Sequence, residues 1–368
     1  MGNSKGFMGA SFFNESWNWS GFKEPQSKPL DMEPTMKLKR TVLGKTGLEV
    51  SRMGMGAAFM SRWGGGSLDQ YRATVQHGIK LGVNYFDTAA GYADSEENLG
   101  KTLEGVKTPV IISTKLGGRP QPFDAQNKDH LYRSFEESLK LLKRDKVEML
   151  FIHEAERPGQ YNWWTEGFYE GALRGPVLDV LDDLKRQKLI QFTGMGGTTV
   201  YELARLCETG VFDVVLTTFN YSLLWREAEH GVIPVAQKMK MGIITGSPLQ
   251  QGGLVKRFDD EVNHGSPWLS PPRRAQYKAL YALLDDLKMP IVELAMRFVI
   301  SNPAIHCVLT GSKSVAELDQ NAGAVLKGPL PSDVLTRINE ISAMVPFRPF
   351  CEPFSLPFGR AYSGPGPA

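Results

Sequence analysis

The chain has 368 residues, 42% hydrophobic and 22% charged, with a formal net charge of +2. That balance is ordinary for a globular protein, and its scattered Lys and Arg residues disfavour nucleic acid and anionic membrane surfaces as partners. Three distant cysteines, Cys207, Cys307 and Cys351, exclude a disulfide framework and a zinc site and fit a reducing, cytoplasmic compartment.

Residues 1–36 are polar and aromatic without a continuous apolar stretch, which argues against a cleaved signal peptide. They read as an extension whose Trp17 and Trp19 dock on the following domain. No run of 18 apolar residues occurs, so no spanning helix is expected. From residue 37 short apolar runs alternate with amphipathic stretches. A hairpin turning between Gly44 and Gly47 precedes a strand over 50–55. A helix over 68–81 stops at Gly82, followed by a strand over 83–89 and a short helix opened by Ser95.

The alternation continues with strands at 110–115, 147–154, 189–197, 214–222, 241–249 and 306–312. Helices are expected at 130–142, 177–188, 200–208 and 231–240, then as one long helical region over 273–301, and at 315–324. Eight βα units in a chain of this length predict an α/β fold of the (β/α)8 TIM-barrel type over 37–345, with an N-terminal β-hairpin and long βα loops. The first strand runs into MGMGAAF, which lacks the G-x-G-x-x-G spacing of a doubly wound nucleotide-binding sheet. Residues 346–368, rich in Pro and Phe, form a tail expected to cross the barrel surface and close one side of the pocket.

In such barrels chemistry sits where strands end and βα loops begin. The second strand delivers Asp87, with Tyr92 five residues on; the third ends in Lys115 and the fourth in His153. A phenol is a poor acid, with an unperturbed pKa of about 10. A nearby ammonium would favour the phenolate and lower that pKa, a carboxylate would hold the ammonium, and an imidazole would orient a substrate oxygen. Singly, Asp87 reads equally well as a helix cap, Lys115 as a solvated strand end and His153 as a core histidine. Their occurrence at three consecutive strand ends favours chemistry at a carbonyl.

The stretches YFDTAAGY and SEENLG, the TK of ISTK, the IH of FIHE and GSKSVAELDQN resemble the aldo-keto reductases over roughly residues 37 to 330. The resemblance implies NAD(P)H bound across the barrel mouth and Tyr92 as general acid or base, supported by Asp87, Lys115 and His153. It also implies cofactor contacts from Gly56, Ala57 and Asp87 and from Ser247, Pro248, Leu249, Gln251 and Gly253 of SPLQQGG, the phosphate-covering loop. Gly311, Ser312, Lys313, Gln320 and Asn321 resemble the adenosine end, with Lys313 pairing a 2′-phosphate, which favours NADPH over NADH.

The nicotinamide end departs from the family pattern. Gly196 and Gly197 stand where Ser-Asn is common, strand six lacks the usual Gln, and Gly246 replaces a stacking aromatic residue. Carboxamide recognition is therefore assigned to a rearranged set drawn from Thr198, Asn220 and Ser247. Strand six, from Asp213-Val-Val through Tyr221 to Leu223-Leu224, is similar to the sugar-lactol and pyridoxal dehydrogenase branch, whose members oxidise a cyclic hemiacetal to a lactone.

Substrate contacts are expected from Phe59 and Trp63 of the first βα loop, from Tyr92 and His153, and from Trp163 and Trp164 of an aromatic loop that also carries Tyr161, Phe168 and Tyr169. Packing of those rings onto the barrel or a neighbouring subunit is the equal alternative. The leading function is NADPH-dependent reduction of an aldehyde or ketone. Oxidation of a lactol or pyridoxal-type hemiacetal is the alternative within the enzyme class, and a cofactor-binding regulatory subunit the alternative outside it. The partner is a small carbonyl or sugar-like molecule; no metal site is expected, and homo-oligomerisation stays open.

Overall fold

The computed structural model describes residues 36–165, 173–349, 352 and 356–359. The proposed docking of Trp17 and Trp19, the loop residues Phe168 and Tyr169, and most of the C-terminal tail lie outside the described residues.

An antiparallel hairpin, β1 (Arg40–Val42) and β2 (Glu49–Ser51), pairs Arg40 with Ser51. Eight parallel strands then close into a barrel: β3 (Met53–Gly56), β4 (Tyr85–Asp87), β5 (Ile111–Leu116), β6 (Val147–His153), β7 (Ile190–Gly197), β8 (Val214–Thr218), β9 (Gly242–Gly246) and β10 (Cys307–Thr310). Strand β10 pairs with both β9 and β3, which leaves no free edge.

Both faces of these strands are buried, so they read as continuous apolar runs rather than alternating ones. Outward side chains meet the helices in one large core, while Tyr85, Met149, Phe151, Val214, Ile244 and Leu309 fill the barrel together with Leu43 and Val50 of the hairpin. The hairpin thus supplies part of the barrel filling. Its segment Met36–Ser51 is more than a leader to the first strand.

The outer layer contains α1 (Leu68–Lys80), α2 (Ser95–Leu103), α3 (Lys128–Leu142), the short α4 (Pro158–Tyr161), α5 (Pro176–Arg186), α6 (Val200–Glu208), α7 (Val232–Lys238), α8 (Pro271–Leu287), α9 (Ile291–Ser301), α10 (Val315–Leu326) and α11 (Ser332–Ala343). Local chemistry marks several starts: Ser67 accepts the Gln70 N–H, Asn127 that of Asp129, and Ser314 that of Glu317.

The helical region expected over 273–301 is divided into two helices, α8 and α9, because Lys288 adopts a left-handed C-cap (φ 49°) and Pro290 cannot donate into a continuing helix. Helix α11 was not anticipated; it packs against α8 after the eighth βα unit.

The described part of the tail is anchored rather than draped. Glu352 accepts hydrogen bonds from Trp225 Nε1 (3.0 Å) and Arg273 Nε (2.8 Å), and Phe358 stacks on Phe258 at 4.5 Å. Among the described residues no helix is long and apolar enough to cross a membrane.

Candidate active site

Parallel register brings the strand ends level at one mouth. Asp87 pairs with Ser113, Lys115 with Phe151, and His153 with Gly196. Lys115, only 1% exposed, donates to Asp87 Oδ2 at 2.6 Å and to the Thr88 carbonyl at 2.7 Å. The other Asp87 oxygen accepts the Ser113 hydroxyl at 2.6 Å, and Ser113 is in turn 2.8 Å from the Tyr85 hydroxyl. A buried ammonium is tolerable only with such compensation. Burial pulls the Lys115 pKa down and the Asp87 charge counters it.

Tyr92, in the loop after β4, meets His153 edge-on at 5.3 Å and Trp63 at 6.1 Å, and Lys115 Nζ lies 4.7 Å from its ring centroid. The four sequence-nominated groups therefore converge. The electrostatic expectation reverses, however. Burial first, then the negative charges of Asp87 and Glu154, push the Tyr92 pKa well above the usual phenol value. The Lys115 charge is already compensated by Asp87, so it does not dominate the phenol.

His153 is neutral through the physiological range. Burial and the Lys115 charge lower its pKa to about 3, and its Nδ1 is buried without a hydrogen-bond partner among the described residues. The Tyr161 ring stacks on the imidazole at 6.2 Å.

The aromatic loop divides in two. Trp163 and Trp164 are buried, and their indole N–H groups donate to the carbonyls of His153 (3.0 Å) and Ala155 (2.8 Å). They brace the β6 end from beneath, because an indole donates one hydrogen bond and here spends it on backbone. Tyr161 and Trp63 are the rings at the mouth, whereas Phe59 lies against Gly311 at the end of β10.

At the nicotinamide end, a Cβ on Gly197 would fall 2.1 Å from the Glu156 carboxylate, whereas one on Gly196 would stand 3.6 Å from Lys115 Cε. Glu156 fills the space that a side chain at 197 would need. Its Oε1 accepts the N–H groups of Thr198 (2.6 Å) and Thr199 (2.9 Å), and its Oε2 is buried with no partner among the described residues. Burial and the Glu154 charge raise its pKa to about 8. Asn220 is committed to the Thr198 carbonyl at 2.8 Å.

Around the β9 loop, Ser247, Gln250 and Gln251 all take left-handed backbone conformations (φ 56°, 49° and 48°), unusual for residues with side chains. Pro248 and Leu249 lie within this turn, and the Leu249 carbonyl accepts the N–H groups of Gly252 and Leu254. Gln251 Oε1 is buried and has no partner among the described residues; a Cβ on Gly253 would fall 3.0 Å from Leu356 of the tail, and the Tyr277 hydroxyl donates to the Gly253 carbonyl at 3.3 Å. At β3, the Ala57 N–H donates to the Asp87 carbonyl at 2.7 Å, and Gly56 pairs with Asp87 across the sheet.

At the β10 end, Asn321 donates to Ser312 Oγ at 3.0 Å, and the Lys313 N–H donates to Glu317 Oε2 at 2.8 Å. Gln320 lines a cavity of about 520 Å³ with Lys256, Arg257, Lys288 and Met289. A cavity bordered by Lys256, Arg257 and Lys288 suits the anionic part of an elongated cofactor.

Sequence reading did not nominate Ser113, Glu154, Glu156 or Glu317. The first joins the site only through strand pairing. Glu154 and Glu156 were visible as the HEAE run but carry no spacing rule that separates them from a solvated strand end.

A closed eight-stranded barrel with Asp87, Lys115, Tyr92 and His153 at its C-terminal mouth is the architecture of a barrel oxidoreductase. Residues 52–343 match the Aldo/keto reductase family model, and the chain belongs to that family. It is 30% identical over 299 residues to L-galactose dehydrogenase of Arabidopsis thaliana, covering 78% of this chain and 88% of that protein. It is 26% identical to pyridoxal 4-dehydrogenase of Microbacterium luteolum, over 77% of this chain and 92% of that one. A probable voltage-gated potassium channel subunit beta of Arabidopsis thaliana is also 26% identical, over 83% and 97%. A crystal structure of a Pseudomonas aeruginosa protein assigned to the aldo-keto reductases superposes with a TM-score of 0.58 at 24% identity, covering 80% and 97%, and bears on the fold. The protein is an NAD(P)H-dependent oxidoreductase of this family.

Proposed function

We propose that the barrel mouth transfers hydride between NADPH and the carbonyl carbon of a small aldehyde or ketone, with Tyr92 giving the proton to the carbonyl oxygen. The bound cofactor supplies the hydride. The carrying observation is the buried Lys115–Asp87 pair at 2.6 Å, with the Tyr92 ring over the ammonium and His153 at its edge.

A phenol held well above its ordinary pKa is fully protonated at neutral pH and so is loaded to donate. As oxyanion character develops on the substrate, Lys115 stabilises the charge passing to Tyr92, and neutral His153 offers a hydrogen bond without adding a competing cation. Trp63 and Tyr161 border the space for substrate, and the bracing indoles of Trp163 and Trp164 hold the β6 end rigid.

Residues of the β9 loop would hold the pyrophosphate half through N–H donors; Gly196, Glu156 and Asn220 would surround the carboxamide. Lys313 would attract a 2′-phosphate, while Glu317, bonded to the Lys313 N–H, would oppose it.

Oxidation of a sugar lactol or pyridoxal-type hemiacetal is the second reading. It is favoured by the likeness to L-galactose dehydrogenase and pyridoxal 4-dehydrogenase, and the same four groups serve the reverse direction. A regulatory subunit is the reading from another class, and the complete proton-transfer set weighs against it.

The test is Tyr92→Phe assayed with NADPH plus aldehydes and ketones, and with NADP⁺ or NAD⁺ plus aldoses and pyridoxal. Turnover should fall by about 10²–10⁴-fold while cofactor affinity, read by fluorescence quenching, stays nearly constant. Equal turnover in wild type and variant would remove Tyr92 from the proton path.

A further inference from the structure

Tyr92 stands on a loop between β4 and α2 that forms neither helix nor strand, yet a misplacement of about 1 Å is enough to slow a positioned reaction. That loop is held from the β5 side at Ala90, two residues before the phenol. The Ala90 N–H donates to the Lys115 carbonyl at 3.4 Å, and the Ala90 carbonyl accepts Arg119 Nη1 at 3.2 Å. Gly118 packs against the same loop: its φ of 90° suits glycine, and a Cβ there would fall 2.9 Å from Gly91 Cα. A Cβ on Gly91 would in turn stand 3.6 Å from His153 Nδ1, so Gly91 lies close to both the β5 loop and the imidazole.

Arg119 is itself fixed by Glu96, in the first turn of α2. Glu96 is only 1% exposed; its Oε2 accepts Arg119 Nη2, and its Oε1 accepts the hydroxyl of Thr114, the neighbour of Lys115. Arg119 Nη2 also donates to Ser138 Oγ of α3 at 3.0 Å. One buried carboxylate thus bonds the β5 chain on both sides of Lys115 and, through Arg119, reaches the loop that carries Tyr92. A buried ion pair is a poor source of net stability, because desolvation offsets the attraction, so its geometric consequence carries more weight.

Resting on the hydride-transfer reading of this mouth, we propose that Arg119, locked by Glu96, is a positioning residue for proton transfer: it ties the Tyr92 loop to the strand end that carries Lys115. The planar guanidinium suits the task, because its two Nη groups reach the Ala90 carbonyl, Glu96 and Ser138 together. A lysine there would keep a charge opposite Glu96 but has one nitrogen on a flexible stem.

The experiment compares wild type, Arg119→Met and Arg119→Lys on an aryl aldehyde with NADPH and on an aldose with NADP⁺. Solvent deuterium isotope effects, thermal unfolding and amide hydrogen exchange of the cofactor-free proteins accompany the kinetics. Arg119→Met should lower kcat by about 10–100-fold, while KM and the cofactor dissociation constant change about threefold or less. Its solvent isotope effect on kcat should rise as proton transfer becomes the slower step. Amides of residues 88–95 should exchange about tenfold faster, while those of β6 keep their protection. Arg119→Lys should recover most of the lost melting temperature but only part of kcat, and it carries the comparison if Arg119→Met does not fold.

Wild-type kcat in folded Arg119→Met, or full recovery of kcat in Arg119→Lys, would overturn the positioning role. So would a lower kcat with unchanged exchange and an unchanged isotope effect. Faster exchange in Arg119→Met, in a protein whose wild type turns over neither substrate class, would overturn the oxidoreductase reading while leaving Arg119 as the clamp on the loop.

Discussion

Lys115 Nζ and Asp87 Oδ2 lie 2.6 Å apart, with side chains 1% and 5% exposed, so each is the other's principal counter-charge in a space with almost no water. Removing one partner strands the other. Asp87→Asn should therefore cost ~3–5 kcal/mol of stability, lowering the melting temperature by roughly 10 °C, besides reducing turnover. Scanning calorimetry checks this, and an unchanged melting temperature would show that the pair is not coupled to folding.

His153 makes a pH prediction whose sign follows from its depressed pKa. The unfolded chain binds a proton near pH 6.5, whereas the folded imidazole resists protonation down to about 3. Between those values the unfolded state holds more protons, so this group's contribution is present above about 6.5 and is lost as pH falls toward 3. The slope is at most ~1.4 kcal/mol per pH unit. Urea unfolding of wild type and His153→Asn across pH 4–7 should show a shallower dependence in the variant. NMR titration should show no protonation of this ring above pH 5.

At the β10 end the local contacts pull in opposite directions. Lys313→Ala should weaken NADPH binding about tenfold more than NADH binding, because only NADPH carries the phosphate. Glu317→Gln should tighten NADPH selectively, by removing the carboxylate bonded to the Lys313 N–H. Dissociation constants for both cofactors, measured at two salt concentrations, decide it. An unaltered NADPH-to-NADH ratio in both variants would place the phosphate elsewhere.

The tail provides a further case. Arg273 is fully buried, and its guanidinium is held by Glu352, while Leu356 lies beside Gly253 of the β9 loop. Glu352→Gln should destabilise the protein by ~3–5 kcal/mol and should also loosen that loop, raising the cofactor dissociation constant. If stability fell but cofactor affinity did not, the tail would be a structural strap without influence on the loop.

Much was legible from sequence because it is governed by short-range rules. The eight βα units follow from apolar runs and amphipathic periods, and Asp87, Lys115 and His153 were found because a barrel places strand ends at one mouth. The division of α8 from α9 at Lys288–Pro290 was present as Lys-Met-Pro, yet the strong apolar periodicity on both sides masked it.

Chain order and residue chemistry by themselves determined the barrel and nominated the four polar groups that meet at its mouth. Tertiary structure alone decided their electrostatics and surroundings. Whether Lys115 lowers the Tyr92 pKa depends on how much of its charge Asp87 has already cancelled and on how little water remains, which are distances and burials rather than spacings. The same holds for Trp163 and Trp164, for which a substrate wall and packing onto the barrel were equal readings and whose indole N–H groups donate to the carbonyls of His153 and Ala155. It holds too for Glu156, which fills the space left by Gly197: β6 and β7 pair residues 43 positions apart, and the chain after His153 brings Glu156 against Gly197.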